Sequence, residues 1–214
     1  MTTSKVTQVK KRNGKLEKLD INKINVCAQR ACDNLEDVSA SEVVIDANVQ
    51  LYDKITTKEI DKALIMSARA KIEKEPNYSY VAAKLLLGNI HKEVFGSSVD
   101  KDAFEMQYRL SFIKNIKSLV KSGALNKEML SFDLKKLSEN LNIERDFKFK
   151  YLGLQILYDR YFLKIDNRRL ESPQSFWMRV AMGLAAFEKN KEAKAIEYYE
   201  VLSSFRLCCS TPTL

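Results

Sequence analysis

The sequence predicts a mainly α-helical chain that opens with a β-hairpin. Three observations carry this. Six glycines and three prolines in 214 residues are too few for the many tight turns of a β-sandwich. Over much of the chain, apolar residues recur at three- and four-residue spacing, the period of a helix with one buried face. Asn13-Gly14 lies between two short strand-like stretches, residues 6–11 and 15–19. That dipeptide signals a two-residue hairpin, because both residues tolerate positive φ.

After the hairpin, Asp20 reads as a helix N-cap, with Ile21, Ile24, Ala28, Ala31 and Leu35 as the apolar stripe behind it. Ser39 with Glu42 has the spacing of a capping box and starts a second helix running through Leu51. Thr56 with Glu59 repeats the device for a helix through about Ile72, and Pro76 marks the break. A fourth helix covers 78–94, with Ala82, Leu86, Ile90 and Val94 on one face and Gly96 closing it. Residues 99–145 are charged and helical, interrupted at Gly123. The chain then becomes more apolar. A helix is expected over 151–161 and a short strand or turn over 162–165. Ser172-Pro173 gives the order cap, then proline at the first helical position. Phe176, Val180, Leu184 and Phe187 form the buried face of that helix, and a last helix covers 191–204. There is no repeat and no low-complexity tract.

The formal net charge of +8 attracts polyanions, whether nucleic acid, acidic membrane or phosphorylated small molecules. The charges are interspersed, however. No basic arm, localisation signal or basic recognition helix stands out, so nucleic acid is not an expected partner. Lysines at 5, 10 and 11 and Arg12 break any leader-like apolar run, and nothing approaches a membrane span of ~18 apolar residues. The four cysteines, Cys27, Cys32, Cys208 and Cys209, form no Cys-x-x-Cys, and His91 is the only histidine. A metal site is therefore not expected, and a reducing cytoplasm is the default compartment. The adjacent Cys208 and Cys209 read as small buried apolar groups rather than a redox couple.

The glycine-rich cradles that usually hold nucleotides are absent. Any phosphate site must come from lysines, helix ends and the hairpin. The hairpin carries Lys10, Lys11, Arg12, Lys15 and Lys18, which by themselves describe a solvated basic surface. Lys23 adds to this. It falls in the first turn of the helix capped by Asp20, where a cation faces the positive end of the dipole at a cost of roughly 0.3–1 kcal/mol. A bound phosphate reverses that sign. Thr57 heads another helix, where a hydroxyl and unbonded backbone N–H groups coincide; simple capping is the plainer explanation. Lys84, Gly88 and Lys92 recur at four-residue spacing opposite the apolar stripe. A mid-helix glycine costs ~1 kcal/mol relative to alanine and makes room for a neighbouring helix or a ligand.

Several separated motifs point the same way. The run Val9-Lys10-Lys11-Arg12-Asn13-Gly14, then Glu17, Asp20 and Lys23-Ile24, resembles the opening of the ATP-cone. So do Tyr52-Asp53 with Ile55-Thr56-Thr57, and Tyr78-Ser79-Tyr80-Val81-Ala82-Ala83 followed by Lys92. The order and spacing match over about residues 5–96. Further on, Arg145-Asp146-Phe147, Tyr151, Tyr161-Phe162-Leu163, Glu171-Ser172-Pro173-Gln174 and residues 205–214 resemble the start of the large subunit of class I ribonucleotide reductases.

This resemblance implies an ATP-cone over 1–97, connecting helices over 98–144, and the start of the reductase helical domain over 145–214. It implies ATP or dATP as effector, accompanied by Mg2+. The effector contacts would be Lys11, Glu17, Leu19, Asp20, Ile21, Asn22, Lys23, Thr57 and Lys92. Thr211, in the terminal Ser210-Thr211-Pro212-Thr213-Leu214, matches a position that touches the ribonucleotide. In the family, ATP supports reduction of ribonucleoside diphosphates and dATP halts it through inhibitory oligomers. A radical-generating small subunit and a homodimer or higher oligomer are the implied partners. The family's redox, radical and shuttle cysteines follow Leu214, so these residues alone are expected to do no reduction. Glu59 and Asp61 stand where some members carry an acid and a histidine that help hold dATP, a departure that bears on dATP inhibition. An ATP-cone also occurs in a zinc-ribbon transcriptional repressor; the missing Cys-x-x-Cys pairs and the reductase-like residues 145–214 argue against that alternative.

Overall fold

The computed structural model describes residues 8–96 and 103–213. Val6 and Thr7 of the expected first strand, and the start of the expected 99–145 helical stretch, lie outside those residues. The chain divides into two compact units. One holds residues up to Asn89 together with Phe149–Gln155; the other holds Ile90–Lys148 and Ile156–Leu214.

In the first unit, β1 (Gln8–Lys10) pairs antiparallel with β2 (Leu16–Lys18), Lys10 opposite Leu16. The connection is not the expected two-residue turn. Gly14 N–H donates to the Lys11 carbonyl at 2.9 Å and Lys11 N–H to the Lys15 carbonyl at 2.8 Å. Gly14 takes φ +85° while Asn13 stays out of the left-handed region. This is a three-residue loop, a type I turn closed by a left-handed glycine. The Asn13 side chain instead accepts the Lys15 N–H at 3.1 Å. A strand the sequence reading left out, β3 (Ile55–Thr56), pairs parallel with β1, giving the order β2-β1-β3. Two residues are too few to show a period.

Helix α1 (Ile21–Cys32) starts as expected, with the Asp20 carboxylate accepting the Asn22 N–H at 3.0 Å. Ile24, Ala28 and Ala31 are buried, but Ile21 is exposed and Leu35 lies past the helix end. Helix α2 (Ala40–Asn48) has only half of its capping box. Ser39 Oγ accepts the Glu42 N–H, while the Ser39 N–H donates to the Tyr78 hydroxyl at 2.9 Å. The helix ends at Asn48 rather than Leu51, where Gln50 and Leu51 N–H bond three residues back. Helix α3 (Thr57–Ala70) has the complete box. Its Ser67 hydroxyl donates to the Val43 carbonyl at 2.8 Å, which ties it to α2.

Helix α4 (Tyr78–Val94) matches its expected bounds and buries Ala82, Leu86, Ile90 and Val94. Val81, Leu85 and Leu87 are buried as well, so the apolar surface extends beyond one stripe. Lys84 is not a cation awaiting phosphate. It donates to the Asp33 carbonyl at 2.7 Å, satisfying an acceptor at the C-terminal end of α1. Burial depresses its pKa, against the opposing pull of Asp33 and Cys32. Among the described residues no neighbouring helix crowds Gly88, since a Cβ there meets nothing within 4 Å.

The second unit contains α5 (Phe104–Lys121), α6 (Leu134–Glu139), α8 (Pro173–Ala185) and α9 (Lys191–Ser203). Gly123, at φ +79°, follows the end of α5 as expected. Helix α7 (Tyr151–Ile156) begins in the first unit and runs on into a π-helical turn, Leu157–Tyr161, in the second. Beyond it, β4 (Lys164–Ile165) and β5 (Arg168–Arg169) form a second hairpin, where the sequence reading saw one short strand or turn. Its two loop residues, Asp166 and Asn167, take φ +48° and +61°.

Helix α8 starts with Ser172 as N-cap and Pro173 behind it, as expected. Phe176 and Val180 are buried, but Leu184 is exposed and Phe187 is 93% exposed. Phe187 lies beyond the helix end, and Met178, Ala181, Met182 and Ala185 complete the buried surface instead. Cys208 is exposed and Cys209 half-buried, so the pair is not the buried apolar one expected.

Candidate functional site

The sheet of the first unit pairs the two strands that lead into two of the expected contacts, Lys11 and Thr57. β1 and β3 run parallel with Lys10 beside Thr56. Lys11 and Thr57, the first residue of α3, each follow that last pair by one residue. At Thr57 α3 presents N–H groups that no earlier carbonyl of the helix can reach, directly after the strand that pairs with the hairpin. The helix start is fixed by Thr56 and Glu59. Glu59 Oε2 accepts the Thr56 N–H at 2.9 Å and hydroxyl at 2.7 Å, and Oε1 accepts the Tyr52 hydroxyl at 2.8 Å. The Thr56 hydroxyl first, then the Thr56 N–H and Tyr52, hold the Glu59 carboxyl below its ordinary pKa.

Across the hairpin, Lys11 Nζ lies 3.7 Å from Glu17, with side chains 36% and 48% exposed. From the end of β2 the chain passes through Leu19 and Asp20 into Ile21, Asn22 and Lys23 in the first turn of α1. Lys23 is 72% exposed with its Nζ 3.8 Å from Asp20, so its conflict with the helix dipole is partly offset by that carboxylate. Lys92 belongs to the second unit, part-buried on the last turn of α4. Thr211 is also in the second unit, where its hydroxyl lies 3.1 Å from that of Tyr161.

Arg12 is the important residue that sequence reasoning missed. It counted as one more hairpin cation, yet one guanidinium nitrogen donates to Asp61 at 3.2 Å and to Asn89 at 2.5 Å. The side chains of Arg12 and Asp61 are only 17% and 12% exposed. This clamps the hairpin loop to α3 and α4. Partners so far away in sequence left no local signal.

The reductase-like motifs of the second unit turn out to centre on a buried network. Asp146 accepts the Tyr108 hydroxyl and the Gln174 amide, both at 2.8 Å. Gln174 accepts the Tyr199 hydroxyl at 2.8 Å, and Tyr199 accepts the Asn142 N–H at 2.8 Å. His91 Nε2 lies 3.5 Å from Asp146. Nearby, Glu171 takes both Arg179, at 2.6 Å, and the Leu163 N–H, at 2.8 Å. Among the described residues no group of three His, Cys, Asp or Glu could hold a metal ion, and no helix is long and apolar enough to cross a membrane.

Residues 7–93 match the family model of the ATP cone domain, and residues 147–214 that of the ribonucleotide reductase, all-alpha domain. The first match makes this a protein with a nucleotide-sensing cone. The second sets it apart from other cone proteins, and the alternative of a transcriptional regulator finds no support. The chain is 43% identical to the ribonucleoside-diphosphate reductase subunit alpha of Helicobacter pylori over 208 residues, 96% of this chain and 25% of that protein. It is 45% identical to the subunit alpha of Chlamydia muridarum over 187 residues, 86% of this chain and 18% of that one. With the large subunit of Variola virus it shares 30% over 211 residues, 95% of this chain and 26% of the viral protein. The chain belongs to the ribonucleoside-diphosphate reductase large-subunit family, and it spans about a quarter of the length of the Helicobacter and Variola relatives.

Proposed function

We propose that this chain gives ribonucleoside-diphosphate reduction its ATP/dATP control and contributes one edge of the substrate site. The observation that carries the reading is the parallel pairing of β1 with β3, Lys10 opposite Thr56, after which come Lys11 on one chain segment and Thr57, the head of α3, on the other. A triphosphate suits such a place, because backbone N–H groups, a hydroxyl and lysines all favour anions. Lys11, Glu17, the stretch 19–23 (Leu19, Asp20, Ile21, Asn22, Lys23), Thr57 and Lys92 are the proposed effector contacts. Mg2+ would arrive on the phosphates, with their oxygens as its main ligands. Thr211 is the proposed substrate contact. The division into a cone over 1–97, connecting helices over 98–144 and the start of the reductase helical domain over 145–214 belongs to the same reading. So do a small, radical-generating subunit as partner, a large-subunit homodimer or higher oligomer, and a cytoplasmic setting.

ATP or dATP at a hundredfold excess over Kd should stabilise the folded chain by ~2.7 kcal/mol. For a cone that melts on its own, this is a shift of roughly 10 °C or more, at ~4–8 °C per kcal/mol. No shift with either nucleotide, in a folded sample, refutes the reading. Lys92→Ala should weaken binding by ~1.5–3 kcal/mol, the worth of a charge-assisted hydrogen bond, and calorimetry reads this directly.

A further inference from the structure

The last turn of α4 is joined to Thr211 by a short series of side chains, all within the second unit. Glu93 follows Lys92 directly. Its Oε2 accepts the Tyr158 hydroxyl at 2.7 Å and its Oε1 accepts the Arg169 N–H at 2.8 Å. The Arg168 guanidinium donates to the carbonyls of Glu93, at 3.0 Å, and Val94, at 3.1 Å, closing the end of α4. Arg169 lies over the Tyr158 ring, 3.6 Å from its centroid, and donates to the Tyr158 carbonyl at 2.5 Å. Tyr158 is thus held by its hydroxyl, its ring face and its carbonyl at once. Burial first, then the bond to Glu93, push its phenol pKa up to about 12.

Tyr158 sits in the π turn, and Tyr161, three residues on, meets Thr211. The π geometry decides where Tyr161 points. The Phe162 N–H bonds to the Leu157 carbonyl, five residues back, at 2.9 Å. A π turn takes one more residue than an α turn, so converting it to α would swing the following side chains by roughly 100° about the axis. Such single π turns are costly and concentrate at functional sites. An α arrangement of the same residues would be the second discrete state that a coupling element needs.

We propose that the π turn Leu157–Tyr161 positions Thr211 for substrate through Tyr161, and that Glu93 sets this turn through Tyr158. A nucleotide held at Lys92 then alters substrate binding within one chain, with no change of partner required. Tyr161, Tyr158 and Glu93 are positioning residues, since the contact with substrate itself is Thr211. The inference rests on the proposed roles of Lys92 and Thr211.

The test uses the complete large subunit with its small subunit and follows KM and kcat for a ribonucleoside diphosphate, with and without ATP. Tyr161→Phe removes one hydroxyl and should raise KM roughly three- to tenfold with kcat within about twofold. Thr211→Val, which removes the bond to Tyr161 and the proposed substrate contact together, should raise KM at least as much, and the double variant should be no worse than Thr211→Val alone, because the Tyr161 hydroxyl acts only through Thr211. Tyr158→Phe keeps its ring beneath Arg169. It should bind ATP as tightly as the wild type while losing the effect of ATP on KM. Glu93→Gln, which keeps an acceptor oxygen, should retain part of that effect, whereas Glu93→Ala should abolish it. Circular dichroism checks that each variant is folded, and Glu93→Ala gives the same reading if Tyr158→Phe is not. If Tyr161→Phe leaves KM unchanged while Thr211→Val raises it, the positioning role is wrong and the reading of Thr211 survives. If Thr211→Val is also silent, both fall. If ATP lowers KM equally in wild type, Tyr158→Phe and Glu93→Ala, the route from α4 is overturned although the cone still binds nucleotide.

Discussion

On the first hairpin, Lys11 faces Glu17 at 3.7 Å with both side chains substantially in water. On the second, Arg168 and Arg169 are bound to Glu93, Val94 and Tyr158 by short hydrogen bonds and a ring contact. The same contrast separates the edge of the first unit from the polar interior of the second, where Asp146, Tyr108, Gln174 and Tyr199 satisfy one another. Loose, hydrated pairs add little stability, at most ~1 kcal/mol each. For that reason they are cheap to rearrange. Buried, fully bonded groups hold one geometry and cost several kcal/mol to break. One region leaves its charges in water; the other commits them to a shape.

The contrast breaks most visibly at Asp146. Asp146→Ala leaves the Tyr108 hydroxyl and the Gln174 amide without their acceptor. Each orphaned buried group costs ~1–3 kcal/mol, so the variant should lose roughly 3 kcal/mol or more. Glu17→Ala, at the hairpin, should stay within about 0.5 kcal/mol of wild type. Urea midpoints compare the two, and equal midpoints would remove the distinction between the regions.

Arg12 tests whether the first hairpin is uniformly loose. Its guanidinium is part-buried and serves both Asp61 and Asn89. Arg12→Ala should cost ~1–2 kcal/mol, several times more than Lys11→Ala or Lys15→Ala. If the three variants melt alike, Arg12 is as dispensable as its neighbours and the clamp is not real.

The second unit should also stand out at high pH. Tyr158 and Tyr199 are pushed up to about 12, in both cases chiefly by burial, and Tyr108 well above its usual value for the same first reason. A phenol raised in the folded state binds its proton more tightly there than when unfolded. The stability it contributes is complete below the ordinary tyrosine pKa of ~10 and is lost as the pH rises through about 12. Of nine tyrosines, these three should form phenolate last or only on unfolding, as ultraviolet absorbance would show. Tyr158→Phe should remove one from the late group. A single smooth titration of all nine would mean the interior is wetter than its hydrogen bonds imply.

What the sequence made legible follows the range of each interaction. Caps and helix periods are local, so Asp20, the Thr56–Glu59 box and the bounds of α4 were readable. Turn chemistry was half readable. Asn13-Gly14 announced a hairpin but adopted a three-residue loop, while Asp166-Asn167 made the two-residue turn without having been noticed. Both residues of each pair tolerate positive φ, and register with the flanking strands decides which turn forms. Lys11 and Thr57 were both singled out, yet the pairing of the strands that precede them depended on β3, a two-residue strand with no period to detect. Arg12 with Asp61 and Asn89, and Asp146 with Gln174, join residues 28 to 77 positions apart, which no local pattern encodes.

Lys23 carries the smallest stability effect and the finest test of the contrast. It is 72% exposed, pairs loosely with Asp20, and stands in the first turn of α1, where the helix dipole disfavours a cation. Lys23→Ala gives up a weak ion pair and relieves a weak repulsion, so its melting temperature without ligand should barely move, within about 0.5 kcal/mol of wild type. With ATP bound the same lysine would face phosphate, and its loss should weaken binding roughly tenfold, about 1.4 kcal/mol. A residue that does nothing for the free fold and something for the complex is what a site built from hydrated charges requires. If calorimetry finds ATP affinity unchanged in Lys23→Ala, the first turn of α1 lies outside the proposed nucleotide site, and Lys11, Thr57 and Lys92 are the proposed contacts left for the phosphates.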